Sequence, residues 1–252
     1  MKKKKRKAKK KEMPFLEHLE ELRWRLWKCI SAVIVFIFIA FPFTGKILEI
    51  LTYPNTRLKN PATFVFLKPT GMLMLRMEIA IIAGIIAALP IILYQLWQFF
   101  APGLYPKERK FIGPVIFITI FCFFLGVGFA YAVLIPVILP FLFSLGTPSI
   151  RPMININDYA QFVLRLILLT GLVFELPMVS FFLTRLGLLS PNFLRKARKY
   201  SILLIFIFAA IVTPPDPVSQ IVLALPLLLL YEVSIWVSQM VYKKKKSNAL
   251  RH

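Results

Sequence analysis

Long apolar stretches, separated by short polar segments rich in proline and glycine, dominate this 252-residue chain. Several of them reach the ~20 residues that an α-helix needs to cross the hydrocarbon core of a bilayer. Hydrophobic residues make up 58% of the sequence, whereas a soluble domain is roughly half apolar. The sequence therefore predicts an all-α polytopic membrane protein without a separate soluble domain.

The apolar stretches predict six transmembrane helices, of which the last two are short. The predicted spans are residues 26–43, 72–97, 114–143, 158–183, 200–212 and 218–236. The fifth is about 20 Å long at 1.5 Å per residue, against a hydrocarbon core ~30 Å thick. Either the bilayer thins beside spans five and six, or a partner covers the mismatch, or the two helices extend beyond these boundaries.

The regions before and after the spans differ in character. Residues 1–13 form a basic tail that repels itself, so we expect it to be disordered. Residues 14–26 carry leucines at spacings of three and four, which predicts an amphipathic helix at the membrane interface that runs into span one. The membrane domain then covers residues 14–242, and residues 243–252 form a basic C-terminal tail.

The distribution of charge predicts the topology. The chain has 32 Lys and Arg against 11 Asp and Glu, a surplus that in a soluble protein would indicate nucleic acid. Here 25 of the basic residues lie in residues 2–28, in the alternate loops at 98–113 and 185–199 and in the C-terminal tail, and five lie in the opposite loops. The positive-inside rule places both termini and the 98–113 hairpin in the cytoplasm. The basic tails are expected to contact anionic lipids rather than nucleic acid.

Motifs of catalysis and metal binding are missing from the sequence. The two cysteines, Cys29 and Cys122, lie in separate apolar stretches, and the only histidines, His18 and His252, are far apart. We therefore expect no enzyme activity, no metal site and no cofactor.

Glu175 is the clearest ionisable residue inside a predicted span. It lies in the middle of an apolar stretch, two residues before Pro177. A carboxylate at this depth is costly unless it faces a polar cavity or has a partner. Glu175 therefore either faces a concave, wet pocket within the membrane or is bonded to the backbone or to a neighbour such as Arg165.

Four motifs resemble the TatC family, the multispanning core of the twin-arginine protein translocase. They are HLEELRWR at 18–25, FFAPGLYPKER at 99–109, GLVFELP at 171–177 and TPPD at 213–216. They occur in the order typical of that family and with its six-span topology. The resemblance covers residues 14–242 and implies a receptor for folded export substrates whose signal peptides carry paired arginines.

The resemblance implies that Glu21 and Glu108 recognise the arginine pair. Carboxylates bind guanidinium groups bidentately, which lysine cannot match. The surrounding cations should repel peptides that are merely basic. The alternative for Glu21 is an ion pair with Arg25 four residues on, and for Glu108 a solvated loop acid.

Further positions take roles from the same resemblance. Arg23 and Arg25 belong to the implied peptide-binding set and orient the N-terminal helix, and the apolar part of the hairpin contributes to the peptide site. Glu175 faces the membrane pocket and Asp216 lies in the turn on the opposite side of the membrane. The remaining implied residues are Phe99, Leu104 and Tyr105 in the peptide site, and Thr213 and Gln220 where single-span TatA- and TatB-type partners dock.

The preferred interpretation is a translocase core at the cell inner membrane that uses the proton motive force and self-associates. The alternative is a secondary transporter of a small solute with Glu175 as a cation-linked site. One departure from the family pattern concerns span two, where Gly71 and Glu78 stand at positions that usually carry an acid and a base. We therefore infer no charge pair there.

Overall fold

A computed structural model describes residues 15–58, 61–100, 112–144 and 153–249, which form a helical bundle with two short strands. Between helices, residues Phe41–Phe43 form a 3-10 turn and Ala130–Leu134 a π-helical turn. The helices are α1 (Phe15–Ala40), α2 (Thr44–Thr56), α3 (Gly71–Phe100), α4 (Ile112–Phe129), α5 (Ile135–Ser144), α6 (Ile156–Val173), α7 (Leu176–Leu186), α8 (Pro191–Val212) and α9 (Pro217–Ala249), and the strands are β1 (Thr63–Val65) and β2 (Met153–Asn155).

Five helical stretches in the described part of the chain are long and apolar enough to cross a membrane. The sixth predicted span corresponds to α8, which is not among them because its first nine positions contain four basic residues. The helices of the two predicted short spans are not short. The first, α8, has 22 residues and the second, α9, has 33, because regular helix continues through the basic residues that ended the apolar stretches.

Helix α1 joins the predicted amphipathic segment and span one in a single element, and it packs along α3. Its apolar stretch lies at the edge of the bundle, where none of its residues is buried. The two helices approach closely at Gly84. A Cβ placed on Gly84 would lie 2.8 Å from the backbone nitrogen of Ile37, so a side chain there would separate α1 from α3.

Helix α2 and the two strands cover one end of the bundle, which we call the β end. Pro54 lies inside α2 and cannot donate a hydrogen bond to the carbonyl of Ile50. The hydroxyl of Tyr131 supplies the missing donor to Ile50 O at 2.8 Å. Strands β1 and β2 pair in parallel, with Thr63 opposite Met153.

The predicted fourth span is interrupted. Helix α6 begins after Asn155, whose side chain accepts a hydrogen bond from the backbone nitrogen of Asn157 at 3.3 Å. It ends at Val173, and α7 begins at Leu176 with a proline in its first turn. Pro177 cannot donate to a carbonyl of the preceding turn, so the break falls at Phe174 and Glu175.

Helices α8 and α9 form an antiparallel hairpin with two side-chain hydrogen bonds near the start of α8. Arg198 donates to Glu232 at 2.7 Å, and the Tyr231 hydroxyl donates to the Leu194 carbonyl at the same distance. The start of α8 and the end of α9 lie on the same side of the bundle as the start of α1 and the end of α3. We call this side the basic end, and it is opposite the β end.

Candidate functional site

The carboxylate of Glu21 lies in a polar cluster on α1 at the basic end. Arg25 donates from both Nε and Nη2 to the single oxygen Oε1 of Glu21, with Nε at 2.9 Å. The other oxygen, Oε2, is buried and accepts no hydrogen bond within the described residues. The ion pair that the sequence offered as an alternative for Glu21 is therefore formed, and it uses only one of the two carboxylate oxygens.

Helix α3 contributes directly to this cluster. Arg25 Nη1 donates to Gln95 Oε1 at 3.1 Å, and the ring of His18 stacks on Phe99 with centroids 4.3 Å apart. His18 Nδ1 lies 3.5 Å from Glu21 Oε2. The start of α1 and the end of α3 are thereby held together, immediately before the segment that contains Glu108.

Arg23 has a different environment from Arg25. Its side chain is 62% exposed, against 19% for Arg25, and it pairs with Glu20 at 3.4 Å. Arg23 lines an open groove with Trp24, Trp27 and Ser31 along the outer face of α1. The two arginines therefore differ, because only Arg25 contacts α3.

Part of the predicted peptide site cannot be compared with this geometry. Leu104, Tyr105 and Glu108 lie outside the residues that the structure describes. Phe99 is described and contacts both His18 and Phe100. That Glu21 and Glu108 lie close enough to bind adjacent arginines stays a prediction.

Glu175 lies at the break between α6 and α7 and is 7% exposed. Both of its carboxylate oxygens are buried without a hydrogen-bond partner among the described residues. Arg165, the neighbour that the sequence suggested, has an exposed side chain and makes no bond to Glu175. Two hydroxyls, those of Thr119 on α4 and Thr170 on α6, are likewise buried without a hydrogen-bond partner among the described residues.

The turn between α8 and α9 holds the remaining predicted residues at the β end. Asp216 Oδ1 accepts from the backbone nitrogen of Ser219 at 2.7 Å and caps the first turn of α9. The side-chain amide of Gln220 donates to the Phe206 carbonyl of α8 at 3.0 Å. Thr213 is buried and donates to the Ala209 carbonyl. These three residues thus also fix the geometry of the hairpin.

Sequence reasoning missed Gln95 and the stacking role of His18. Gln95 is one of two glutamines in the last turns of a mostly apolar helix, which was the available signal. Two further aromatic contacts at this end join Phe182 of α7 to Trp97 at 4.5 Å and to Phe100 at 5.4 Å. A pattern within one helix cannot show which side chains of another helix face it.

In the part of the chain that the structure describes, five helical stretches of membrane length and a carboxylate–guanidinium cluster at one end define a multispanning α-helical membrane protein. The profile of the family described as Sec-independent protein translocase protein (TatC) matches residues 17–226. The chain belongs to the TatC family.

Relatives and solved structures agree with this assignment over nearly the whole chain. The Sec-independent protein translocase protein TatC of Carboxydothermus hydrogenoformans is 43% identical over 238 residues, which is 94% of this chain and 97% of that protein. The Aquifex aeolicus protein of that name is 39% identical over 93% of this chain and 98% of its own length. A crystal structure of the twin-arginine translocase receptor TatC has a TM-score of 0.82 and 37% identity, covering 89% of this chain and 99% of that one.

Proposed function

We propose that this protein is the core of a twin-arginine translocase and binds the paired-arginine signal peptides of folded export substrates at its cytoplasmic face. The observation that carries the proposal is the Glu21 carboxylate, fixed at the basic end with one oxygen paired to Arg25 and the other accepting no hydrogen bond. A guanidinium group is the partner whose geometry suits a carboxylate. Glu108 supplies the second carboxylate, and Phe99, Leu104 and Tyr105 supply the apolar part of the site.

The topology we propose has six spans, with both termini in the cytoplasm at the inner membrane. The 22 residues of α8 make a helix about 33 Å long, which is enough to cross a bilayer although its apolar part is short. The hairpin of α8 and α9 then returns the chain to the side where it began. The excess of Lys and Arg at the basic end supports this orientation.

The partners we propose are single-span subunits of the TatA and TatB type, which dock on the hairpin of α8 and α9 near Thr213 and Gln220. The outer face of this hairpin supports the proposal, since Leu204 is 63% exposed and Ile211 is 73% exposed. Large apolar side chains on a spanning helix are free to pack against another helix. Self-association through apolar faces completes the assembly.

Contact with anionic lipids is proposed for the basic tails and for the groove around Arg23. The indole rings of Trp24 and Trp27 are more than half exposed beside the guanidinium. Amphipathic rings and cationic side chains are typical of the membrane–water interface. The groove thus suits a phosphate headgroup.

For Glu175 we propose a polar pocket within the membrane that takes part in transport driven by the proton motive force. Its buried and unpartnered oxygens support this role, because such groups are rare in structures unless they serve a function. Membership of the TatC family favours this assignment over a small-solute transporter.

The test of the proposed function is direct binding of a signal peptide to the full chain in lipid nanodiscs. A fluorescent peptide with paired arginines is titrated beside the same peptide with paired lysines. We expect tighter binding of the arginine peptide and a loss of that preference in Glu21→Gln and in Glu108→Ala. Equal affinities for the two peptides in the unmodified protein would contradict the proposal.

A further inference from the structure

Two opposite charges lie without partners on neighbouring helices of membrane length. Glu78 of α3 and Arg165 of α6 make no hydrogen bond and no ion pair among the residues that the structure describes. Neither residue has a part in the proposed function. We propose that Glu78 and Arg165 form an ion pair inside the membrane that holds α6 against α3.

The first observation is that both residues lie at the same depth. Helices α3 and α6 begin side by side at the β end, where a Cβ on Gly71 would lie 3.1 Å from Nδ2 of Asn157. Glu78 follows seven residues after Gly71, which is about 10 Å along α3. Arg165 follows eight residues after Asn157, which is about 12 Å along α6. Because both helices are of membrane length, both charges lie well inside a hydrocarbon core ~30 Å thick.

The second observation concerns the direction of Glu78. Seven residues turn an α-helix by two full turns less about 20°, so Glu78 points from α3 in nearly the same direction as Gly71, toward α6. Its neighbour Leu75 is buried in the core, whereas Met74 on its other side is 63% exposed. The half-buried Glu78 therefore lies at the edge of the contact between α3 and α6.

Arg165 lies on the open side of the same contact. It is turned by about 80° around α6 from Asn157, and its side chain is exposed. Ile167 is turned by a similar angle in the other direction and is buried. Helix α4 packs against both α3 and α6 and closes that buried side. The open side of the groove between α3 and α6 therefore carries both Glu78 and Arg165.

The side chains of Glu78 and Arg165 are long enough to meet. The axes of packed helices are about 8–10 Å apart, and the two side chains extend from adjacent edges of α3 and α6. A single charge at this depth is costly, and opposite charges attract far more strongly in a medium of low dielectric constant than in water. Rotation of the two side chains then forms the pair without a movement of either helix.

Other charged residues near this groove are less suitable partners. Arg76 is two residues from Glu78, so it points about 200° away around α3. Asp158 lies two turns before Arg165 at the start of α6, where it accepts a hydrogen bond from Asn155 Nδ2 at 3.2 Å. Glu78 and Arg165 are thus the opposite charges that share one depth and one groove.

The direct test is crosslinking between introduced cysteines in the full chain in nanodiscs. In a variant with Cys29→Ala and Cys122→Ala, the pair Glu78→Cys and Arg165→Cys is treated with a short, membrane-permeant bifunctional thiol reagent. The matched control is Arg76→Cys with Arg165→Cys. Intact mass spectrometry separates a linked pair from two singly modified thiols. We expect a link in the first variant and none in the control, and the opposite result or no link in either would overturn the proposal.

Charge reversal tests whether the pair stabilises the packing of α6 on α3. We expect Glu78→Arg to lower the unfolding temperature in nanodiscs by at least about 5 °C, because two like charges are then left in the membrane. Adding Arg165→Glu should restore it to within about 2 °C of the unmodified protein. Adding Arg76→Glu instead keeps the same net charge but should not restore it. No effect of Glu78→Arg, no rescue by Arg165→Glu, or equal rescue by Arg76→Glu would contradict the ion pair.

The proposed function and this inference fail separately. Equal binding of the paired-arginine and paired-lysine peptides would contradict the function at the basic end. Crosslinking and rescue of the unfolding temperature require no peptide, so they test the pair of Glu78 and Arg165 in either case.

Discussion

Arg23 and Arg25 belong to one short motif but lie on different faces of α1. Residues two apart on an α-helix point about 200° apart around its axis, since each residue turns it by about 100°. Arg25 therefore reaches Gln95 of α3, and Arg23 lies in the outer groove with Trp24. The sequence placed both arginines beside Glu21, and the packing of α1 decided which of them holds it.

Glu175 offers a prediction at the same scale. Replacing it with glutamine removes a buried group that can carry charge, and keeps nearly the same volume. Because Glu175 has no partner to lose among the described residues, we expect the unfolding temperature of Glu175→Gln in detergent to equal or exceed that of the unmodified protein. Signal-peptide binding should be retained and transport into inverted vesicles should fall at least about tenfold, as for a functional intramembrane acid.

The smaller variant Glu175→Ala checks whether the role is structural. We expect it to bind the signal peptide like Glu175→Gln and to be impaired in transport to a similar extent. If both variants unfold at a markedly lower temperature and lose peptide binding, Glu175 holds the fold together and the proposed pocket is wrong.

At the scale of elements, close helix contacts depend on a few glycines. A Cβ at Gly84 would meet the main chain of Ile37, whereas one at Gly128 would meet no atom within 4 Å. Gly126 of α4 and Gly171 of α6 also have close neighbours, including Phe174 and Phe123. Small residues let the backbones of membrane helices approach each other.

The pair Gly84→Ala and Gly128→Ala tests this contact. We expect Gly84→Ala to lower the free energy of unfolding by about 1–3 kcal/mol, because α1 must move away from α3. Gly128→Ala should be neutral or slightly stabilising, since alanine favours helix over glycine. Thermal unfolding in one detergent measures both, and similar effects of the two substitutions would show that the packing of α1 on α3 does not depend on Gly84.

Helix boundaries were the least accurate part of the sequence-based description. Hydropathy began span five at Tyr200, after the basic residues, yet α8 begins at Pro191. It also joined α6 and α7 into one span, although the chain breaks at Glu175. Hydropathy measures how favourably the side chains of a segment transfer from water into an apolar environment. Backbone hydrogen bonds and prolines decide where a helix begins and ends.

At the scale of the whole molecule, the two ends of the bundle have different chemistry. The basic end carries the Glu21 cluster, and the β end carries α2, the two strands and the Asp216 turn. The helix pairing alone does not show which end faces the cytoplasm. Labelling of single cysteines from one side of the membrane determines which end of the bundle faces the cytoplasm.

In a variant with Cys29→Ala and Cys122→Ala, cysteine is introduced at the exposed residues Asn192 or Pro215, which lie at opposite ends of α8. A membrane-impermeant maleimide should label Asn192→Cys only in inside-out vesicles and Pro215→Cys only in right-side-out vesicles. The excess of positive charge at the basic end keeps that end in the cytoplasm. If both positions are labelled from the same side, α8 does not cross the membrane and the six-span topology is wrong.

The sequence by itself determined the class of protein, the family and most of the helices, because apolar stretches of membrane length and local motifs depend only on residues near each other in the chain. It also identified Glu21 and Glu175 as unusual acids. Only the tertiary structure decided what surrounds Glu21, because Gln95 and Phe99 reach Arg25 and His18 of α1 from a helix some seventy residues away. The surroundings of the Arg25–Glu21 pair therefore depend on the packing of α1 against α3.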